Sequence, residues 1–547
     1  MKEKIISHIA DILKELGVDN PKVVLEYPAH IEMGDASTNV AMMYAKNVDN
    51  TPMYLAELIK VKLEARNIFG VTVAKPGFIN FFFDKNYFAD AVKNAGRIEN
   101  IFEGQKTIVE YTDPNPFKEF HIGHLMPNVI GESISRIIEA SGAEVKRANY
   151  QGDVGLQVAK AVWAIQQGKD LKEAYAFGHK AYEEDEKAKA DIVSINKKIY
   201  DRSDEVINKI YDEGRKESLD YFEEMYRMLG TKFDFYFFES EVAEFGKETV
   251  LKNVGKIFEE SEGAVVFRGE NFDKKLHTRV FINKEGLPTY EAKELGLSKI
   301  KYEKFPYDKS IIITGNEINE YFKVLLSAMK EVFPDLAEKT KHISHGMLRL
   351  PEGKMSSRTG NVFTAESLIK EVKEKVLESM KESEMSDFEK QDIAELVAIS
   401  AIKYSILRQS IGGDIIFDFD KSISFEGDSG PYLQYSIVRA KSILKKAEES
   451  NIALQLSLPE NWKTTLLEKM IERFDGIVFR SAKECSPHHI ANYLIELSSA
   501  FNALYAEHKI VDAGDPLSPY RLAITRAFII VMEKGLDMLG IKVPERM

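Results

Sequence analysis

The sequence predicts an α/β chain: a parallel-sheet central domain with an α+β domain before it and an all-α bundle after it. Three observations carry this. Residues 107–111 (Thr-Ile-Val-Glu-Tyr) form a short apolar run suited to a buried strand. Leu125, Val129, Ile130, Ile134, Ile137 and Ile138 then recur at helical spacing as far as Gly142, a helix C-cap, and residues 143–148 read as a second strand. Strand, helix, strand is a βαβ unit, which requires a parallel sheet and puts ligands at the C-terminal ends of the strands. Finally, from about Ala401 the periodicity stays helical, with Ala491, Leu494, Ile495 and Leu497 and again Leu522, Ile524, Ala527, Ile529 and Ile530.

The other segments follow in order. Ile5, Ile6, Ile9, Ile12 and Leu13 share one helical stripe, and residues 77–83 are an apolar, aromatic run led by a glycine, better suited to a strand. Gly96 and Gly104 lie in a polar linker over 94–105. Residues 160–260 are charge-rich and mostly helical, and read as an insertion or covering layer. Residues 310–314 return to the central sheet as a strand. The expected domains are 1–95, 105–400 and 401–547.

Composition excludes several classes. The 547 residues are 44% hydrophobic and 29% charged, enough for roughly three to four cores and unlike a disordered or fibrous chain. The single cysteine, Cys485, rules out an intramolecular disulfide and a cysteine-built zinc site, and it suits a reducing compartment. No run approaches a membrane span, and the start, Met1-Lys2-Glu3-Lys4, lacks the form of a signal or transit peptide. A cytoplasmic location with no membrane partner is expected. The net charge of -13 speaks against a surface that binds nucleic acid throughout. The acids are unevenly spread: residues 431–547 hold 15 Lys and Arg against 14 Asp and Glu, leaving the excess of acids in residues 1–430. The C-terminal bundle is therefore the better surface for a polyanion.

Two short stretches carry chemistry. His121-Ile122-Gly123-His124 sits between the first strand and its helix, where free backbone N–H groups and the helix dipole favour a phosphate. Its two imidazoles lie on one face of the first turn, and Gly123 leaves room for a flat purine against the backbone. Gly353-Lys354-Met355-Ser356-Ser357-Arg358-Thr359-Gly360 is a small-residue loop whose Lys354 and Arg358 can close over phosphates. Either stretch alone is as readily a surface feature.

Together, a His-x-Gly-His after the first strand and a Lys-Met-Ser-Ser loop far downstream resemble the signature of class I aminoacyl-tRNA synthetases. Within that class the chain resembles the arginyl-tRNA synthetases over nearly its full length. Glu110-Tyr111-Thr112-Asp113-Pro114-Asn115 with Lys118, Gly152-Asp153-Val154-Gly155, and the long Phe425-Glu426-Gly427-Asp428-Ser429-Gly430-Pro431-Tyr432-Leu433-Gln434-Tyr435 carry the resemblance. So do Gly34-Asp35 with Asn39, Gly77-Phe78-Ile79-Asn80 and the ending Pro544-Glu545-Arg546-Met547.

The resemblance implies a Rossmann-like catalytic domain, an N-terminal tRNA-contacting domain and an anticodon-binding bundle. It implies an arginine-tRNA ligase that uses ATP and Mg2+ to make arginyl-adenylate and then charges tRNA(Arg), working as a monomer. It assigns Lys118, His121, His124 and Lys354 to catalysis. ATP is expected at His121, Gly123, His124, Lys354, Met355, Ser356 and Arg358, and L-arginine at Glu110, Asn115, Tyr290, Glu294 and Glu317. The tRNA is expected at Tyr432, Tyr435 and Arg439, with Lys441 and Tyr505 as further candidates, and no resident metal site is implied. A planar, permanently charged guanidinium independently calls for carboxylates in its pocket.

Three positions depart from the family pattern. Ser357 replaces a loop lysine, a charge that Lys118 can supply from the other side. Glu294 replaces an aspartate and is one methylene longer. Asp113 stands where serine is usual and adds a negative charge that can attract the substrate's ammonium. The rival readings are a class I synthetase for another amino acid, a small nucleotidyltransferase, which would not need two RNA-sized flanking domains, and a tRNA-binding scaffold with a decayed site.

Overall fold

A computed structural model of the chain describes residues 1–28, 30–349 and 364–547. The chain forms two compact units. The first comprises Met1–Ala95, Lys446–Arg473 and Leu504–Ala527, and the second comprises Gly96–Lys445, Phe474–Ala503 and Phe528–Met547.

In the first unit, helix Lys2–Glu15 buries Ile5, Ile9, Ile12 and Leu13, as their spacing predicts. They pack on an antiparallel sheet in the order β1-β3-β2, built from β1 (Ala36–Thr38), β2 (Val71–Ala74) and β3 (Phe78–Phe81). Helix Pro52–Glu64 starts where Thr51 accepts from the Tyr54 N–H and proline occupies the first turn, where its missing N–H costs nothing. Ion pairs tie the later segments in: Lys2 to Glu472 at 2.8 Å and Lys469 to the buried Asp35 at 2.7 Å. The buried Glu468 accepts from Trp462 Nε1 and from Tyr520 Oη.

The second unit is built on a five-stranded parallel sheet: β4 (Lys106–Glu110), β5 (Glu144–Gln151), β6 (Phe235–Phe238), β10 (Lys309–Gly315) and β11 (Thr340–His345), in the order β11-β10-β4-β5-β6. Helix Ile122–Ala140 crosses from β4 to β5. Strands covered on both faces carry apolar runs, and Ile108, Ala148, Phe237 and Ile312 are all buried in one core with Leu295, Leu297 and Val324. Burying a side chain the size of Phe237 contributes about 2–3 kcal/mol. A small antiparallel sheet of β7 (Glu259–Ser261), β8 (Ala264–Arg268) and β9 (Thr278–Ile282) follows β6.

The stretch 160–260 differs from its reading as a helical insertion. Its helices do form a layer with its own core, including helix Glu205–Leu229, capped by Asp204 and ended at Gly230 with φ +70°. Yet β6, within the same stretch, is the edge strand of the central sheet. Four residues of aromatic sequence between long charged helices give too short a period to stand out. Strand order reverses between β4 and β10, so the connections leaving the two strands run to opposite sides and open a crevice for a ligand at the strand ends. Among the described residues no helix is long and apolar enough to cross a membrane.

Candidate active site

Beyond Glu110 the backbone is bent sharply. Thr112, Asp113 and Phe117 take φ of +84°, +46° and +66°, the left-handed region that residues with a Cβ avoid and a β-branched threonine tolerates least. Such positions cost about 1–3 kcal/mol each and persist where the surroundings impose them. Here Asn128 donates to Thr112 Oγ1 at 3.0 Å, the Tyr150 N–H donates to Asp113 at 2.8 Å, and the Phe117 N–H donates to Ser218 Oγ at 2.9 Å. The Gly152 N–H donates to Asn115 Oδ1 at 2.9 Å, which leaves the Asn115 NH2 for another acceptor. A side chain at Gly152 would put its Cβ 2.5 Å from that Oδ1.

His121 is the N-cap of helix Ile122–Ala140. Its Nδ1 accepts from the Gly123 N–H at 3.0 Å, so the ring proton sits on Nε2. The His124 ring stacks on it, centroids 3.7 Å apart, and a Cβ at position 123 would lie 2.8 Å from the His121 ring. Burial and the nearby Lys118 hold His121 below the ordinary imidazole range. Burial, then His121 and Lys118, push His124 well below it. Both rings are thus neutral donors at neutral pH. His124 Nδ1 is buried with no hydrogen-bond partner among the described residues. Lys118 stands 4.3 Å over the Tyr175 ring, with burial lowering its ammonium below the usual lysine value. It lines a cavity of about 310 Å³ with Phe117, Tyr221 and Glu366.

The acids gather at the ends of β4 and helix Tyr290–Lys304. Glu110 is buried and accepts from Lys301 Nζ at 2.6 Å, both side chains only 2% exposed. Glu294 is half-buried. Burial first, and then the Glu110 charge, push its carboxyl up to about 8. Asp113 is raised by the same two causes in the same order. Burial disfavours the Lys301 ammonium, but Glu110, Tyr307 and Glu294 together outweigh it and hold Lys301 above its ordinary value. Tyr290 is 52% exposed and donates to Gln157 Oε1 at 3.1 Å. Its ring lies 5.2 Å from Lys293, which is fixed by a buried 2.6 Å pair with Glu239. Glu317, exposed in the short 3-10 turn Asn316–Ile318 after β10, acts electrostatically on His121.

The structure thus gathers Glu110, Asp113 and Glu294 into one charge cluster, and groups Lys118, His121 and His124 at one helix start. Lys354, Met355, Ser356 and Arg358 lie outside the described residues. In the C-terminal helices, Arg439 donates to Tyr435 Oη and to Asn502 Oδ1, both at 3.0 Å, and Asn502 donates to Tyr432 Oη at 2.9 Å. Sequence reasoning missed Lys301, although it follows Glu294 by two helical turns and so shares its face. It also missed the partners of Asp153. That carboxylate is fully buried and accepts from Arg215 Nε at 2.9 Å, Tyr211 Oη at 3.2 Å, the Ser240 N–H at 2.9 Å and Ser240 Oγ at 2.7 Å. No sequence spacing brings those residues together.

Comparison with known proteins identifies the family and the fold. Family models match residues 3–83 (arginyl tRNA synthetase N terminal domain), 89–419 (tRNA synthetases class I (R), catalytic domain) and 433–547 (DALR anticodon binding domain). The chain is 30% identical to the arginine-tRNA ligase of Treponema denticola, covering 96% of this chain and 95% of that one. It is 27% identical to the arginine-tRNA ligase of Borrelia hermsii over the whole of both. Among solved structures it is similar in fold to the arginyl-tRNA synthetases of Thermus thermophilus (TM-score 0.77, 24% identity, all of both chains) and Plasmodium falciparum (TM-score 0.81, 21% identity, 100% and 99%).

Proposed function

The chain belongs to the arginyl-tRNA synthetases, a class I family, and from that premise we propose how its residues carry out the work of an arginine-tRNA ligase. The enzyme uses ATP to join L-arginine to tRNA. The observation that carries the reading is the acidic cluster at the end of β4, where Glu110, Asp113 and Glu294 act on one another and Glu110 is paired with Lys301. With the acids ionised the pocket holds a surplus of negative charge, which a substrate bearing a guanidinium and an ammonium can neutralise.

In the first step a carboxylate oxygen of arginine attacks the α-phosphorus of ATP. The new O–P bond forms as the bond to pyrophosphate breaks, and the leaving pyrophosphate takes the electron pair. His121 and His124, as neutral donors, and Lys118, as a cation, stabilise the phosphate oxygens, with Lys354 and Arg358 assigned to the same phosphates and Gly123, Met355 and Ser356 to the nucleotide. In the second step the 3′-terminal ribose hydroxyl of tRNA(Arg) attacks the arginyl carbonyl carbon and AMP leaves. Neither step needs a covalent enzyme intermediate, so catalysis rests on positioning and on charge stabilisation. The Asn115 NH2 receives the substrate carboxylate, while Tyr290, Glu294 and Glu317 line the amino-acid side. Among the described residues no three His, Cys, Asp or Glu side chains are placed to hold a metal ion. Mg2+ enters with ATP, held by its phosphates.

Residues 401–547 contact the anticodon and residues 1–95 another part of the tRNA, with Tyr432, Tyr435 and Arg439 stacking on bases or meeting phosphates. The enzyme acts as a cytoplasmic monomer. A synthetase for an apolar amino acid would leave the acids in this pocket unmatched. Charging of total tRNA with each of the twenty labelled amino acids tests the reading: arginine alone is expected to be transferred, and transfer of a different amino acid would overturn it.

A further inference from the structure

The buried pair of Glu110 and Lys301 points to a division of labour within the pocket. Glu110 lies at the end of β4, where a direct contact with the guanidinium is the simple expectation. Its carboxylate is instead 2.6 Å from Lys301 Nζ, with both side chains 2% exposed. Removing one partner of such a pair leaves an uncompensated buried charge, whereas removing both together is often nearly neutral. The other two acids are half-buried and have no ion-pair partner among the described residues.

We propose that Lys301 is a specificity-determining positioning residue: it holds Glu110 as its own partner, so that Glu294 takes the guanidinium of arginine and Asp113 faces the ammonium. This rests on the proposed function and deepens it. The count of groups supports it, because with Glu110 and Lys301 paired two acids remain, which ionise as the two cationic groups of the free amino acid bind. The extra methylene of Glu294 has a place in the same scheme, since its carboxylate must reach the guanidinium without help from the strand. Glu110 still acts on the pocket at a distance, through the field that raises both remaining carboxyls.

A double-mutant cycle on the full-length enzyme, supplied with tRNA, tests this by arginine-dependent ATP-pyrophosphate exchange. Glu110→Gln and Lys301→Met are each expected to lower kcat/KM for arginine by about tenfold or more, because each leaves a lone buried charge. The double variant, which removes both charges, is expected to return to within about tenfold of the wild type, and the KM for ATP should stay within about twofold throughout. If either single variant fails to fold, the double variant decides alone. A double variant that stays within tenfold upholds the assignment. One that loses more shows Glu110 touching arginine itself and overturns it, as does a folded Lys301→Met enzyme with wild-type arginine kinetics. The wild type's own exchange, the reference in every comparison, tests the function, and the ratios among variants test Lys301.

Discussion

The Lys118 ammonium lies 4.3 Å above the centre of the Tyr175 ring. Among the described residues no carboxylate pairs with it, and the contact is worth about 0.5–2 kcal/mol. The tyrosine therefore holds the lysine beside the His121 and His124 rings. Tyr175→Leu should reduce kcat for ATP-pyrophosphate exchange by about five- to tenfold with little change in KM for arginine, whereas Tyr175→Phe, which keeps the aromatic face, should retain the wild-type rate. Lys118→Ala should lower the rate about a hundredfold. Unchanged exchange in Lys118→Ala would remove that residue from the phosphates.

Burial and then Glu110 push the Glu294 carboxyl up to about 8, with Glu239 and Glu291 adding to the rise and Lys301 opposing it. Below that value the free enzyme carries a proton that must leave before a guanidinium can be bound. The KM for arginine should therefore fall as pH rises toward about 8 and level off above it, by up to about tenfold per unit. Calorimetry at pH 7 in buffers of different ionisation heat should show proton release on arginine binding. Glu294→Gln should bind arginine more weakly and without this pH dependence.

Asp153 takes four hydrogen bonds at 0% exposure, and one of its donors is the guanidinium of Arg215. Asp153→Ala should destabilise the second unit by about 3–5 kcal/mol, since a charge and several donors lose their partner together. A lowered first thermal transition checks this. Unaltered melting would mean that water replaces the carboxylate at no cost.

Arg439 joins Tyr435 and Asn502 on the C-terminal helices. Arg439→Ala should raise the KM for tRNA several-fold, reduce the salt dependence of tRNA binding by about one charge, and leave arginine binding unchanged. An unchanged KM for tRNA would mean that the arginine serves helix packing only.

Much of the site was legible because it is local in sequence. The Thr107 strand, the helix that opens at His121 and the second strand lie consecutively, and a βαβ unit already states that its ligand binds at the strand ends. The stacked pair of His121 and His124 follows from their spacing within one helical turn. The short aromatic strand β6 was hidden by its charged helical neighbours, and β11 pairs with β10 only through the register of the completed sheet.

By itself, then, the sequence determined the α/β class, the parallel sheet, the helix start at His121 and the family to which the chain is similar, because each depends on periodicity or on residues close in the chain. The tertiary structure alone decided which acid is paired with a lysine. Glu110 and Lys301 are 191 residues apart and carry no mark of partnership until β4 and helix Tyr290–Lys304 pack together. Asp153 likewise gains its role only when Tyr211, Arg215 and Ser240 arrive from two other elements. A carboxylate's charge is written in its residue type, but its partner, its exposure and its willingness to ionise are set by what folding puts beside it.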